Sequence, residues 1–292
     1  MDIESKKFLG QPKNFVSIFN ALLFDGQPVL KPEYLKDENS ELVMNVSSKH
    51  VDIIKRYEDG TYLDLFVIES QSYVDQCMVA RVMEYESVAR MRYIRQNFKK
   101  HVPMHTRLPM ILTVVLYVGE SKWNAAKRLS ELEIIHPGFE DMFNEFKLNL
   151  IELNTNHKYN TGEKATQDFF DLLRMIYRKQ ILKEDLDREF NRDALYFAYV
   201  VTKNKELLNI YQESEKGDVK VCRALDEMFE ESTNKGIQMG IKQGIEQGIE
   251  QGIALNQFEV YQTMLDKGFS VKAIASIFSV SEESIKTLLI RT

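Results

Sequence analysis

The sequence predicts an α/β fold: a mixed sheet of four to five strands flanked by helices, with a helical C-terminal extension. Three observations predict it. Val51 to Tyr73, VDIIKRYEDGTYLDLFVIESQSY, reads as a β-hairpin, with branched and aromatic residues in Val51–Arg56 and Tyr62–Ser70 and the turn signal Asp59-Gly60 between them. Asp75 to about Lys100 contains no Gly or Pro, and Val74, Met78, Val82, Tyr85 and Ala89 form the apolar stripe of a long helix. Met110–Gly119, MILTVVLYVG, is a nearly continuous apolar run closed by Gly, as in a strand buried on both faces. A strand reached through a long helix is expected to run parallel to the one before it.

The remaining elements follow in order. Asn14–Phe24 places Phe15, Ile18, Phe19, Leu22 and Leu23 at helical spacing. Gly26–Asn39, with Pro28 and Pro32, reads as a loop, and Leu42–Val46 as a first strand before the hairpin. Beyond the buried run, Trp123 to Leu132 is expected to be helical and Lys147–Leu153 to be a further strand. Thr166–Ile181 and Leu186–Thr202 read as helices of a flank, so residues 1–204 are expected to form the main domain. Residues 205–255 form an arm in which a four-residue unit repeats: Gly236-Ile237, Gly240-Ile241, Gly244-Ile245, Gly248-Ile249, Gly252-Ile253. A period of four advances ~40° beyond a full helical turn, so the Gly and Ile stripes wind around a helix and offer close approach to a second backbone. A flexible tether is the competing reading of this arm. Residues 256–292 carry three short helical patterns, with Ser270 and Ser281 as N-caps. This unit is similar to a helix-turn-helix, or is a structural cap.

Composition narrows the classes of function. With 44% hydrophobic and 28% charged residues among 292, the chain can bury a sizeable core and is not of disordered composition. No apolar run reaches the ~20 residues of a membrane span, and Met1–Gly10 is too polar for a signal peptide. The cysteines Cys77 and Cys222 share no metal-ligand spacing, and two lone thiols favour a reducing, cytoplasmic location. A net charge of −6 excludes a surface coated for non-specific DNA binding, so affinity for phosphate has to be local.

The hairpin carries the candidate chemistry. With the turn centred on Asp59-Gly60, Asp52 lies opposite Val67, and Glu69 is its diagonal neighbour at roughly 7–8 Å. Gln71 falls on the same face by the period of two. Two carboxylates at such a separation repel unless a proton or a cation sits between them, which points to a divalent metal site. The competing reading makes Asp52 and Glu69 exposed strand-end residues. Asp64 alternates with Leu63 and Leu65 and is expected to face away from the site. Tyr73 and Tyr85 are expected to pack at its edge, and the five histidines show no ligand spacing. From Ser87 to Leu108 there are six Lys/Arg residues and no acid. Arg81, Arg92, Arg95 and Lys99 fall within ~60° of one another on a helix, a solvated face or a phosphate contact.

An Asp in one strand followed, after a turn, by Glu-x-Gln ending the next resembles the PD-(D/E)XK nuclease superfamily. More specifically, Ile68-Glu69-Ser70-Gln71-Ser72, then Met78, Arg81 and Tyr85, then Leu108-Pro109, and Leu116-Tyr117-x-Gly119 with Trp123 resemble the Rpn group, recombination-promoting nucleases also described as PD-(D/E)XK putative transposases. Phe19-Asn20-Ala21-Leu22-Leu23-Phe24 and the later Gly-x-x-x-Gly run are similar to that group too. The resemblance implies a restriction-endonuclease-like core and a Mg²⁺-dependent DNA endonuclease, with Mn²⁺ able to substitute. It assigns Asp52, Glu69 and the Ser70 carbonyl to the metal, and Gln71, where many relatives have Lys, to positioning the attacking water. Arg81 contacts phosphate in this reading or forms a salt bridge with Glu69. DNA is the implied partner, RNA an alternative substrate, and the arm implies a homo-oligomer. A non-cleaving DNA- or partner-binding protein on a nuclease fold is the alternative, motivated by Gln71 and by the absence of an acid between Asn14 and Phe24.

Overall fold

A computed structural model describes residues 3–37, 53–60, 63–181, 185–214 and 217–291. They fall into two compact units, residues 1–226 and 227–292. The first unit is built on a five-stranded mixed sheet in the order β1 (Leu35–Asp37), β2 (Ile53–Glu58), β3 (Leu63–Gln71), β4 (Ile111–Tyr117), β5 (Asn149–Glu152). β1, β2 and β3 pair antiparallel, and β3, β4 and β5 pair parallel. The long helix α3 (Met78–Asn97) makes the connection from β3 to β4 that a parallel pair requires.

Alternation along β3 assigns its two faces. Leu65 and Val67 pack with Ile54, Ile111 and the α3 residues Tyr85 and Ala89. Phe66 points the other way, with its ring 4.8 Å from Phe19 and 5.7 Å from Tyr57. Phe19 belongs to α2 (Pro12–Phe24), a helix started by Pro at its first position and covering this second face. Behind α2, the Ser17 hydroxyl donates to Thr166 at 2.8 Å, at the start of α4 (Lys164–Arg178). Phe8 of α1 (Ile3–Leu9), Phe169 of α4 and Phe197 of α5 (Arg192–Thr202) meet at ring separations of 4.4–5.7 Å, closing the helical flank. The sheet is therefore covered on both faces, as its parallel part requires.

The hairpin register differs from the sequence expectation by two residues. Val67 pairs with Ile54, not with Asp52, and Glu58 pairs with Leu63. Gly60, just after β2, has φ +91°. The shift is even, so it leaves the inward and outward sets of β3 unchanged. Asp52 and the expected strand Leu42–Val46 lie outside the described residues. The expected loop 26–39 holds a 3₁₀ turn at Pro32–Tyr34 and the edge strand β1.

Two further segments depart from the sequence reading. Trp123 to Leu132 is not a helix; a single 3₁₀ turn, Leu129–Glu131, is all that forms there. Trp123, Ala125 and Leu129 instead anchor an irregular chain in the core beside Tyr117, and the Trp123 indole donates to the Ala125 carbonyl at 3.0 Å. Leu186–Thr202 begins its helix only at Arg192, because the Asn191 side chain caps the N–H groups of Asp193 and Ala194. The preceding Glu189–Phe190 is strand β6, paired with β7 (Val219–Lys220). The helix α1 is an addition to the elements expected, and α6 (Lys205–Glu213) is a separate helix within residues 205–255.

The repeat lies in one continuous helix, α7 (Cys222–Asp266). Ile237, Ile241, Ile245, Ile249 and Ile253 are each more than half exposed, and the space beside each repeat glycine is open to 4 Å. The second unit ends in α8 (Val271–Phe278) and α9 (Glu282–Arg291), which pack Ile274, Ala275 and Ile285 against Tyr261. Ser270 and Ser281 accept from the N–H groups of Ala273 and Ser284, as their cap positions predict. No helix among the described residues is long and apolar enough to cross a membrane.

Just before β5 begins, side chains take over the backbone groups of β4. Glu86 Oε1 accepts the Thr113 N–H at 3.0 Å, and Asn149 Nδ2 donates to the Thr113 carbonyl at 3.0 Å. Burial pushes the Glu86 carboxyl above its usual range, with Thr113 and Arg90 opposing. A raised folded-state pKa means that the charged form costs stability above that pKa, and the cost vanishes below the unfolded value. Glu86→Gln keeps an oxygen for Thr113 and is expected to be the more stable protein at about pH 7, with the margin closing towards about pH 4. Denaturant titrations at the two pH values measure this. In the arm, Gly240→Ala and Gly248→Ala each remove backbone entropy from the unfolded chain without a clash, so each is expected to stabilise the helix by about 0.5–1 kcal/mol. Circular dichroism on heating reads that gain.

Candidate functional site

The carboxyl ends of parallel strands are where open α/β sheets place their ligands. β3 brings Glu69 and Gln71 to that end, on the face shared by Leu65 and Val67 and covered by α3. Both are buried, at 3% and 4% exposure. The Val118 N–H donates to the Gln71 carbonyl at 2.8 Å, extending the β3–β4 pairing to the last residue of the strand. The chain then turns through Asp75, whose Oδ1 accepts the Cys77 N–H at 2.9 Å and so shapes the entry into α3. One turn into the helix stands Arg81, and four residues later, on the same face, Tyr85.

These residues form one hydrogen-bonded cluster. Glu69 Oε1 accepts from Gln71 Nε2 at 3.1 Å and from Arg81 Nη2 at 3.2 Å. Arg81 Nη1 donates to Asp75 Oδ2. Arg81 Nε and Nη2 donate to the Tyr85 hydroxyl at 3.1 and 2.8 Å. Burial works against the Arg81 charge, but hydrogen bonds to Asp75 and Tyr85 and the charge of Glu69 outweigh it and raise the guanidinium pKa. Burial likewise raises the Tyr85 phenol, against the pull of Arg81. The cluster is a pair of carboxylates drawn to one guanidinium, with an amide fixing the more deeply buried of the two.

The residues singled out in the sequence are distributed as follows. Glu69, Gln71 and Arg81 come together, and of the two readings of Arg81 the ion pair with Glu69 is the one present. Ser70, between Glu69 and Gln71, pairs with Leu116 of β4. Arg92 and Arg95 lie about 16 and 21 Å further along the α3 axis than Arg81, at 1.5 Å per residue. Lys99 lies past the helix end at Asn97, so the stripe of four bases on one helix face is broken. Asp64 faces its own neighbourhood as expected, accepting the Met110 N–H at 3.1 Å. Tyr85 packs at the site edge, whereas Tyr73 is 58% exposed. Asp75 is the residue that sequence reasoning passed over. Its available signal was an acidic side chain two residues before the N-cap of a long helix, six residues from Arg81.

Glu69 and Asp75 are hard oxygen donors, and Mg²⁺ is commonly held by one or two carboxylates with waters completing its shell. The donor chemistry therefore fits such an ion. Among the described residues no group of three or more His, Cys, Asp or Glu side chains converges on one point.

A family model described as putative transposase, YhgA-like, matches residues 33–207, more than half of the chain, including Glu69, Gln71, Asp75 and Arg81. No curated protein and no solved structure matches the chain. Within the cluster, Tyr85→Phe removes the acceptor for two Arg81 N–H groups and leaves them buried. It is expected to lower stability by about 1.5–3 kcal/mol in urea denaturation, without altering the helical content.

Proposed function

Because the chain belongs to the YhgA-like putative transposase family, which is of the PD-(D/E)XK/Rpn type, we propose that it is a Mg²⁺-dependent DNA endonuclease whose five-stranded sheet is a restriction-endonuclease-like core. The observation that carries the reading is the burial of Glu69 and Gln71 at the carboxyl end of β3, with a second carboxylate, Asp75, drawn to the same guanidinium.

In this reading Asp52, Glu69 and the Ser70 carbonyl hold the ion; the role of Asp52 is supported by the sequence alone. Bound there, Mg²⁺ supplies Lewis-acid stabilisation of the phosphate and a more acidic water; Mn²⁺ substitutes for it. Gln71 orients the attacking water by hydrogen bonding. Its amide also steadies Glu69 at 3.1 Å, a task for which no positive charge is needed. Gln71 lacks the positive charge with which a Lys at this position would steady the transition state. Arg92, Arg95 and Lys99 serve as phosphate contacts for the flanking DNA backbone, which presents one charge per ~1.7 Å. The exposed isoleucines of α7 support a homo-oligomer formed through this arm.

One observation favours a second reading, a non-cleaving DNA- or partner-binding module. Arg81 forms ion pairs with both Glu69 and Asp75. Nicking of supercoiled plasmid decides between the two. The wild type is expected to nick only with Mg²⁺ or Mn²⁺, and Asp52→Ala and Glu69→Ala to lose about 10²-fold or more of that rate. Equal rates in the wild type and both variants exclude this site, and a wild type inert with either ion favours the binding module.

A further inference from the structure

We infer that Arg81 is a resident counter-cation of the site, a positioning residue that a divalent ion must displace from Glu69 before it can bind. The inference rests on the metal-nuclease reading above and adds how that site is loaded. All three guanidinium nitrogens are engaged: Nη2 with Glu69 at 3.2 Å, Nη1 with Asp75, and Nε and Nη2 with the Tyr85 hydroxyl. The Arg81 side chain is 17% exposed and that of Glu69 4%, so water screens this pair far less than a surface ion pair.

One positive charge on two carboxylates leaves the trio of Glu69, Asp75 and Arg81 with one negative charge. A divalent ion at Glu69 would stand within a few ångströms of the guanidinium, and two cations that close in a buried site repel strongly. Arg81 and the ion therefore compete for the same carboxylate. Release from Glu69 does not strand Arg81, because Asp75 and Tyr85 remain as partners on its own side of the site. An anionic phosphodiester that draws Arg81 away from Glu69 would raise the affinity for the ion, and by reciprocity the ion would raise the affinity for the phosphodiester. The full charge of the site is thus assembled on the substrate rather than before it.

The test is calorimetric titration of Mn²⁺ alone, without nucleic acid, into the full-length protein. Arg81→Gln is expected to bind Mn²⁺ about tenfold more tightly than the wild type, within the usual range of coupling between two ligands. Arg81→Lys keeps the cation and is expected to bind like the wild type, and Glu69→Gln to bind little in any background. A readout on the wild-type protein does not depend on how the variants fold. The Arg81 Nη–H resonances, assigned by their loss in Arg81→Lys, are expected to shift as Mg²⁺ is added, because Nη2 is the nitrogen that Glu69 holds. If Arg81→Gln binds Mn²⁺ no more tightly than the wild type, or the Nη–H signals stay fixed while Glu69-dependent binding proceeds, the counter-cation role is overturned and the metal site stands. If the wild type and every variant take up no Mn²⁺, the metal site falls and this inference with it.

Discussion

A carboxylate at the end of a buried strand has to be compensated, and the arrangement around Glu69 follows from that constraint. An isolated charge at 3% exposure would otherwise take up a proton or reach for water. Here a guanidinium and an amide meet it, and each comes from a different part of the topology. Gln71 is supplied by the period of two along β3. Arg81 is supplied by the return of α3 across the sheet, which exists because β4 runs parallel to β3. Tyr85 then holds Arg81 from one turn further along the same helix face. Site and crossover are thus one construction, and loss of the β3–β4 pairing would separate Glu69 from its counter-charge.

The same logic of supplying a partner recurs one residue past Tyr85, at Glu86 in the middle of α3. Glu86 and Asn149 complete the backbone hydrogen bonding of Thr113, where β5 has not yet begun. The helix that carries Arg81 to the site therefore also seals the central strand. Its apolar stripe, Met78, Val79, Val82, Tyr85 and Ala89, holds it against the sheet. Two carboxylates so close to this helix end in different states: Glu69 is matched by a cation, while Glu86 meets a backbone N–H and has its protonated form favoured by burial.

α7 presents the opposite situation. Glycines every four residues cost helix stability, yet the helix is continuous through all of them. The isoleucine stripe adjoining them remains exposed. Such a surface is the sort that a second backbone could approach closely, which is the physical basis for assigning this arm to self-association.

Much of this was legible in the sequence because it is written in local periodicity. The alternation of Leu65, Val67, Glu69 and Gln71 placed the two polar residues on one face whatever the register, and the even slip from Asp52 to Ile54 opposite Val67 left that face intact. The apolar run at Ile111–Tyr117, the helix after the hairpin and the Ser270 and Ser281 caps are likewise set by patterns within a few residues. Tertiary structure decided the rest. Trp123 to Leu132 has a helical composition, but Trp123 and Leu129 gain more by filling the core beside Tyr117 than a short isolated helix would return. Asp75 acquires its place only because α3 folds back and brings Arg81 to it, a contact that neither hairpin spacing nor helix phase encodes. Charge compensation is a property of three-dimensional neighbourhoods, so the sequence by itself determined which side chains point inward, and only the fold decided which of them neutralise one another.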